Sequence, residues 1–402
     1  LHNWVEINLG ALKRNYQRIR SIVGPDVSIA PVVKAEAYGH GMIMVAKALA
    51  RLKPKWFAVS KFSEAIRLRD AGITTPILVL SGLLPEEYDE ALARSIVPAV
   101  YTMEQLSLCE AAGKKRRMPF PIHVKIDTGM GRLGFREEFF PELLSKLKNS
   151  GWISLNGVMS HFADADDEES SFPLVQLARF RDFLNLLKNS LNHSPPFIHI
   201  ANSAGTVRYR ESHFTMVRPG LVLYGSTSFA KDFEPVMSLK ARILQVKAVP
   251  PGTPIGYGRT FIAPESMLIA TVSVGYGDGY PRALSSSNAA THRTEVLIHG
   301  KRCPVVGRVS MNLITVDVSR LPEPPSEGDE VVLLGAQKGS IISADELASN
   351  AGTISYEIYC RIGSNPVKRY IEVEEDLFHS EAPSSCHSEG RSAEESPEET
   401  PR

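Results

Sequence analysis

The sequence predicts an α/β protein in two parts, an N-terminal (β/α)8 barrel of the TIM type followed by a mostly antiparallel β domain. Three observations carry this. Eight short apolar runs alternate with helical patterns over roughly the first half of the chain. The side chains able to do chemistry there, Lys34, Lys125, His161, Ser203 and Arg218, fall at or just after the ends of those runs. That is the functional face of such a barrel, whereas an open doubly wound sheet gathers its site near one switch point. After about Lys231, helical spacing gives way to long β-branched runs cut by Pro/Gly turns.

In chain order, residues 9–22 read as an amphipathic helix with Leu12, Tyr16, Ile19 and Ile22 on one face. Barrel strands are expected at 27–33, 56–60, 76–80, 96–100, 121–126, 153–160, 197–201 and 214–224. Helices are expected between them at 42–52, 63–71, 86–93, 103–112, 137–147 and 174–187. The second part should carry strands at 237–249, 267–274, 295–306, 313–318 and 330–334. A short helix at 343–351 has Ser343 as its N-cap and Glu346 at the third position, the pattern of a capping box. The expected units are therefore 1–231, with a lead-in before the barrel, and 232–378. A tail at 379–402, rich in Ser, Glu and Pro and without Val, Ile, Leu or an aromatic residue, should be disordered.

Composition narrows the function. The 402 residues balance 45 basic against 45 acidic side chains with no basic stripe, which argues against a nucleic-acid partner. Four scattered cysteines lack metal-ligand spacing and suit a reducing compartment. Neither a signal-peptide pattern nor a membrane-spanning apolar run is visible, so a soluble cytoplasmic protein is expected.

Four constellations carry chemistry. The first is the stretch from Ala30 to Gly41, where a buried strand ends at Lys34 before a glycine-flanked turn. A lysine there is either desolvated, which lowers its pKa and suits covalent chemistry with carbonyls, or snorkels to water. The second, Lys125 to Gly134, puts two cations and a carboxylate in a Gly-rich turn and favours an anion or cofactor; His161 nearby is a weak signal by itself. In the third, Ser203 is either a phosphate ligand or a plain N-cap. Gly220 and Leu221 offer backbone N–H groups, and Arg218 demands an acceptor. The fourth sets Tyr257 and Tyr276 between glycines in the β domain, where they decorate the surface or reach into a neighbouring site.

Together these stretches resemble the alanine racemases, fold-type III pyridoxal 5'-phosphate (PLP) enzymes. The resemblance rests on Val-Val-Lys-Ala-x-Ala-Tyr-Gly-His-Gly at 32–41 and Lys-x-Asp-Thr-Gly-Met-Gly-Arg-Leu-Gly at 125–134. Ala-Asn-Ser at 201–203, Arg-Pro-Gly-x-x-x-Tyr-Gly at 218–225 and Tyr-Gly-Arg-Thr at 257–260 come next in order. So do Gly-Tyr-x-Asp-Gly-Tyr-Pro-Arg at 275–282, Gly-Arg-Val-x-Met at 307–311, and the stretches at 352–357 and 360–363.

The resemblance implies roles residue by residue. Lys34 resembles the Schiff-base lysine and one catalytic base, and Tyr257 the second base. Tyr38, Ser203, Tyr356 and the backbone of Gly220 and Leu221 would hold the cofactor phosphate. Arg218 would face the pyridine nitrogen with His161 beside it. Arg132 and the main chain of Met311 would bind the carboxylate of alanine. Lys125 matches a position often carbamylated, where the resulting anion orients Arg132. Tyr257 and Met311 would come from the partner of a head-to-tail homodimer, and the product D-alanine would serve peptidoglycan. Four places depart from the family pattern: Glu36 and Asn312 where Asn and Asp are usual, Gly277 where Ala is common, and the pair Ser364-Asn365 in place of an Arg-containing turn.

Overall fold

The computed structural model describes residues 1–225, 229–290 and 294–372, so the tail expected at 379–402 lies outside the described residues. Nine strands precede residue 220: β1 (Asn3–Asn8), β2 (Ser28–Ile29), β3 (Phe57–Val59), β4 (Ile77–Val79), β5 (Ile96–Val100), β6 (Phe120–Lys125), β7 (Ile153–Met159), β8 (Phe197–His199) and β9 (Met216–Val217). The run β3 to β8 is hydrogen-bonded in sequence order, and β2 pairs with β9, all parallel. Two short bridges close the ring. The amide of Ala58 donates to Pro31 O and that of Val33 to Ala58 O, both at 2.9 Å, while Arg218 N donates to Ala201 O at 3.0 Å. The expected eight-stranded barrel is therefore present.

Several strands are shorter than the apolar runs that announced them, and the causes are local. Pro31 has no N–H to give, so the run 27–33 keeps only two residues of regular ladder. The run 214–224 breaks at Arg218-Pro219-Gly220 and continues as a 3-10 turn, Leu221–Tyr224. Inside the barrel, Ala30, Trp56, Leu78, Val97, Ala99, Met159 and Met216 form a small plug, and the larger core lies between strands and outer helices.

The second part contains β10 (Met237–Val249), β11 (Pro254–Ile255), β12 (Phe261–Ile262), β13 (Met267–Val272), β14 (Glu295–Ile298), β15 (Lys301–Val306), β16 (Ile314–Asp317), β17 (Glu330–Gln337), β18 (Ser340–Ile342) and β19 (Lys368–Ile371). Antiparallel pairing runs β10-β13-β16-β15-β14-β17 and returns to β10, a closed ring that leaves few raw edges. The single run read at 295–306 is a hairpin, because His299 and Gly300 take φ of 55° and 80° and turn the chain. The helix Ala344–Ala351 keeps half of its capping box. Ser343 Oγ accepts the Glu346 amide at 3.0 Å, but the Glu346 carboxylate pairs with Arg302 instead of returning.

One strand had no forewarning. β1 belongs to the sheet of the second part, antiparallel to β10 and parallel to β19. The lead-in thus ties the chain's start to its C-terminal unit, and the helix Leu9–Val23 then enters the barrel wall, capped by Asn8.

Candidate active site

Lys34 stands where the β2 segment reaches the barrel mouth, and the turn after it is unusual. Ala35, Glu36, Ala37 and Tyr38 take φ of 50°, 55°, 53° and 54°, a full turn of left-handed helix made without glycine. Such a turn costs roughly 1–2 kcal/mol per residue and persists only where surroundings over-determine it. No local signal announces it, since Ala-Glu-Ala favours the right-handed form. The holding contacts are visible. Glu64 Oε1 accepts the Ala35 amide at 2.6 Å, and His40 Nδ1 lies 2.9 Å from Ala37 O and 3.0 Å from Tyr38 O. Gly39 closes the turn against Tyr359 and Gly363, where an added Cβ would stand 2.3 Å from Tyr359 O.

Lys34, Lys125, Arg132, His161 and Arg218 line one cavity of about 260 Å3 at this mouth. Its walls are completed by Ser60, Leu80, Ser81, Leu133 and Met159. Four cations share the space, and no carboxylate forms an ion pair with any of them among the described residues. Burial, then the Arg132 charge, pulls the Lys34 amine below the usual lysine range. Burial and the Arg218 and Arg132 charges bring Lys125 down to about 8. Arg132 is carried on a loop shaped by Asp127, whose Oδ1 accepts the Gly129 and Gly131 amides at 2.9 and 3.1 Å. The site is built for anions.

Behind the cavity Arg218 is fully enclosed. Its Nη1 donates to His199 Nδ1 and to His199 O, and its Nη2 to Ser160 O (2.7 Å), Ile200 O (3.2 Å) and His161 Nδ1 (3.2 Å). Because His199 Nδ1 accepts, its Nε2 carries the proton and donates to His123 Nδ1 at 2.8 Å. Burial, reinforced by Arg218, brings His123 down to about 3 and holds His161 and His199 well below the ordinary histidine value, so all three are neutral. Arg218 itself falls to about 9 by burial and remains charged at neutral pH. Both Nη groups are committed to protein acceptors, which leaves Nε for whatever enters the cavity.

Tyr38, Ser203 and Gly220 meet at a second point. Ser203 Oγ accepts the amides of Gly220 (2.9 Å) and Val222 (3.3 Å), so its own proton is available to donate. A Cβ on Gly220 would stand 2.4 Å from Tyr38 Oη, so only glycine lets the backbone approach this hydroxyl. Leu221 opens the 3-10 turn next to it, and Tyr356 packs on Tyr38 with ring centroids 5.8 Å apart. Hydroxyl and amide donors here, with clustered cations nearby, suit a phosphate joined to a carbonyl-bearing ring. PLP, the group implied by the resemblance, fits this donor set.

Tyr257 and Met311 do not join this cavity within their own chain. They lie on the β domain, 71% and 58% exposed. Gly277 N donates to Met311 O at 2.7 Å and fixes that loop.

The four departures each find a partner. Glu36 pairs with Arg67 and accepts the Met42 amide at 3.3 Å, while Asn312 donates to Asp278 Oδ2 at 3.2 Å. At Gly277 an added Cβ would stand 3.0 Å from Met311 O, a tight contact that glycine avoids. Asn365 is buried and bonds Asn3 Oδ1 at 2.7 Å and the Val367 amide at 2.9 Å. Sequence reasoning missed Glu64, His40, His123 and His199. His40 and His199 stood inside the motifs themselves, and Glu64 sat at the third position of a helix, where carboxylates cap.

Residues 7–228 match the family model "Alanine racemase, N-terminal domain", and residues 236–370 match "Alanine racemase, C-terminal domain". An alanine racemase of Syntrophobacter fumaroxidans is 46% identical over 374 residues, covering 92% of this chain and 97% of the relative. The solved alanine racemase of Streptomyces lavendulae superposes with a TM-score of 0.86 at 32% identity, covering 94% of this chain and 99% of that one. That of Bartonella henselae, solved with covalently bound pyridoxal phosphate, gives 0.84 at 28% identity over 92% of this chain and 100% of its own.

Proposed function

We propose, from the premise that this chain belongs to the alanine racemase family, that it interconverts L- and D-alanine by a PLP-dependent two-base mechanism. The enzyme class is an isomerase. The observation that carries the reading is the convergence of Lys34, Lys125, Arg132, His161 and Arg218 on one cavity beside the Tyr38–Ser203–Gly220 cradle.

When bound, PLP supplies the electron sink that makes the α-hydrogen of an amino acid removable. The chain does the rest. Tyr38, Ser203, Tyr356 and the backbone of Gly220 and Leu221 hold the phosphate. Lys34 would anchor the cofactor and serve one face as base, with burial and then the Arg132 charge favouring its neutral amine. Tyr257 of a second copy serves the other face as acid. One Cα–H bond breaks and one forms on the opposite side, with no net redox change.

Arg132 and the Met311 main chain bind the substrate carboxylate. A carbamate on Lys125 would supply Arg132 with an anion, since among the described residues no carboxylate pairs with it. Arg218 would present a cation to the ring nitrogen, with His161 beside it, and would thereby weaken the electron sink the cofactor supplies and favour reprotonation over transamination. D-alanine made this way would feed peptidoglycan synthesis in the cytoplasm.

The test is to incubate PLP-loaded protein with L-alanine in D2O and follow D-alanine formation and α-deuteration together. The reading expects both. A borohydride-trappable adduct on Lys34 without any α-exchange would refute racemisation and leave only cofactor binding.

A further inference from the structure

The left-handed turn after Lys34 is held by two side chains that no step of the reaction uses. Glu64 begins as an ordinary cap. Its Oε2 accepts the amides of Ser60 and Lys61 at 2.8 and 2.9 Å, at the start of the helix Phe62–Asp70. Its Oε1 leaves that helix and accepts the Ala35 amide at 2.6 Å, one residue after Lys34. One carboxylate therefore joins the mouth of β3 to the lysine's own turn.

His40 works from the other side. It is completely buried and neutral, and Nδ1 carries the proton it gives to the Ala37 and Tyr38 carbonyls. Its ring stacks on Tyr224 with centroids 4.4 Å apart, and Tyr224 Oη donates to Val32 O at 2.9 Å, two residues before Lys34. Among the described residues His40 Nε2 meets no hydrogen-bond partner, so the ring's hydrogen bonding there goes to the turn.

We propose that Glu64 and His40 are positioning residues for the cofactor-anchoring lysine: together they hold the left-handed turn and so aim Lys34 into the cavity and Tyr38 into the phosphate cradle. This rests on Lys34 being the cofactor anchor. A helix cap alone has no reason to reach Ala35, and a core histidine alone has no reason to bond two successive carbonyls of a strained turn. Glu64 acts on Lys34 electrostatically as well, favouring its ammonium form against Arg132 and Arg218.

The experiment compares wild type with Glu64→Gln, Glu64→Asp and His40→Asn, and uses Ser343→Ala, which removes the cap of a remote helix, as the stability control. The apoprotein is mixed with PLP and borohydride across a pH series, and the rate of adduct formation at Lys34 is read by peptide mass. Hydrogen exchange at Ala35 and Gly39 is read alongside, with kcat and KM on the holoenzyme. Glu64→Gln should trap with a lower pH midpoint, because the amine loses a carboxylate that favours its charged form. Glu64→Asp keeps the charge but is one methylene short of Ala35, so it should keep the midpoint and lose the plateau rate.

All three variants should lower plateau rate and kcat about tenfold or more with KM for alanine little changed, and should exchange Ala35 or Gly39 faster. If they lose only melting temperature, as Ser343→Ala does, with trapping and exchange within about twofold of wild type, the two residues are merely structural and the proposal fails. If wild type itself forms no adduct at Lys34, what fails is the reading of Lys34.

Discussion

Gly220 shows how narrowly the proposed phosphate cradle is cut. A methyl group there would stand 2.4 Å from Tyr38 Oη, inside any real contact distance. Gly220→Ala should weaken PLP binding about tenfold or more, the effect of losing one or two hydrogen bonds to an anion. Absorbance titration of the apoprotein with PLP checks this, with apoprotein melting little altered. Lys125 makes a second residue-scale case. Its folded value of about 8 lies below the ordinary 10.5, so the unfolded chain binds more protons across that window and folding stability rises with pH through it. The penalty is fully present below about pH 8 and is relieved as pH climbs toward 10.5. In CO2-free buffer Lys125→Met should therefore melt higher than wild type at pH 7, with the gap closing in alkali. A carbamate forms on the neutral amine, so stripping CO2 should lower wild-type activity and bicarbonate should restore it, with the mass of one carbon dioxide on the Lys125 peptide. Activity indifferent to CO2 would remove the carbamate from the mechanism.

Elements differ in how plainly the chain announces them. The barrel strands were legible because β-branched runs alternate with helical spacing, and the long helices were legible by periodicity. The left-handed turn was not, because its conformation is imposed by Glu64, His40 and the close passage of the helix Ser355–Ile362, none of which is local. β1 escaped for the same reason: Asn3–Asn8 becomes a strand by pairing with β10 more than 230 residues later. The turn and the helix carrying Tyr356 cross at Gly39 and Gly363, where a Cβ on Gly363 would stand 2.2 Å from Gly39 Cα. Gly363→Ala must push them apart. It should cost about 1–3 kcal/mol by overpacking and should weaken PLP binding as Tyr356 leaves Tyr38. Gly151→Ala, where nothing lies within 4 Å, is the control and should change neither. Thermal melts and cofactor titration of both variants check the pair; equal behaviour would mean the crossing does not matter to the site.

At the scale of the molecule, the proposed mechanism draws on two separate surfaces, the barrel mouth and the β domain. Lys34, the proposed first base, shares its cavity with Lys125, Arg132 and Arg218, while Tyr257 and Met311 stand exposed on the β domain and line no part of it. The resemblance implied that Tyr257 and Met311 serve a partner's cavity, and their place on the β domain, outside the cavity of their own chain, is set by where the closed ring of β10 to β17 puts its turns. A site completed in trans predicts complementation between two inactive chains. Take one chain with Lys34→Ala and another with Tyr257→Phe, and mix them under conditions that exchange subunits. In each mixed dimer one cavity combines an intact Lys34 with an intact Tyr257 from the other chain, and its twin has neither. Random pairing makes half of all dimers mixed, so roughly a quarter of wild-type activity should return. Both parents should stay far below that level under the same treatment. If Tyr257 served the cavity of its own chain, no mixture could place the two intact residues together, and activity would remain at the parental level at every ratio.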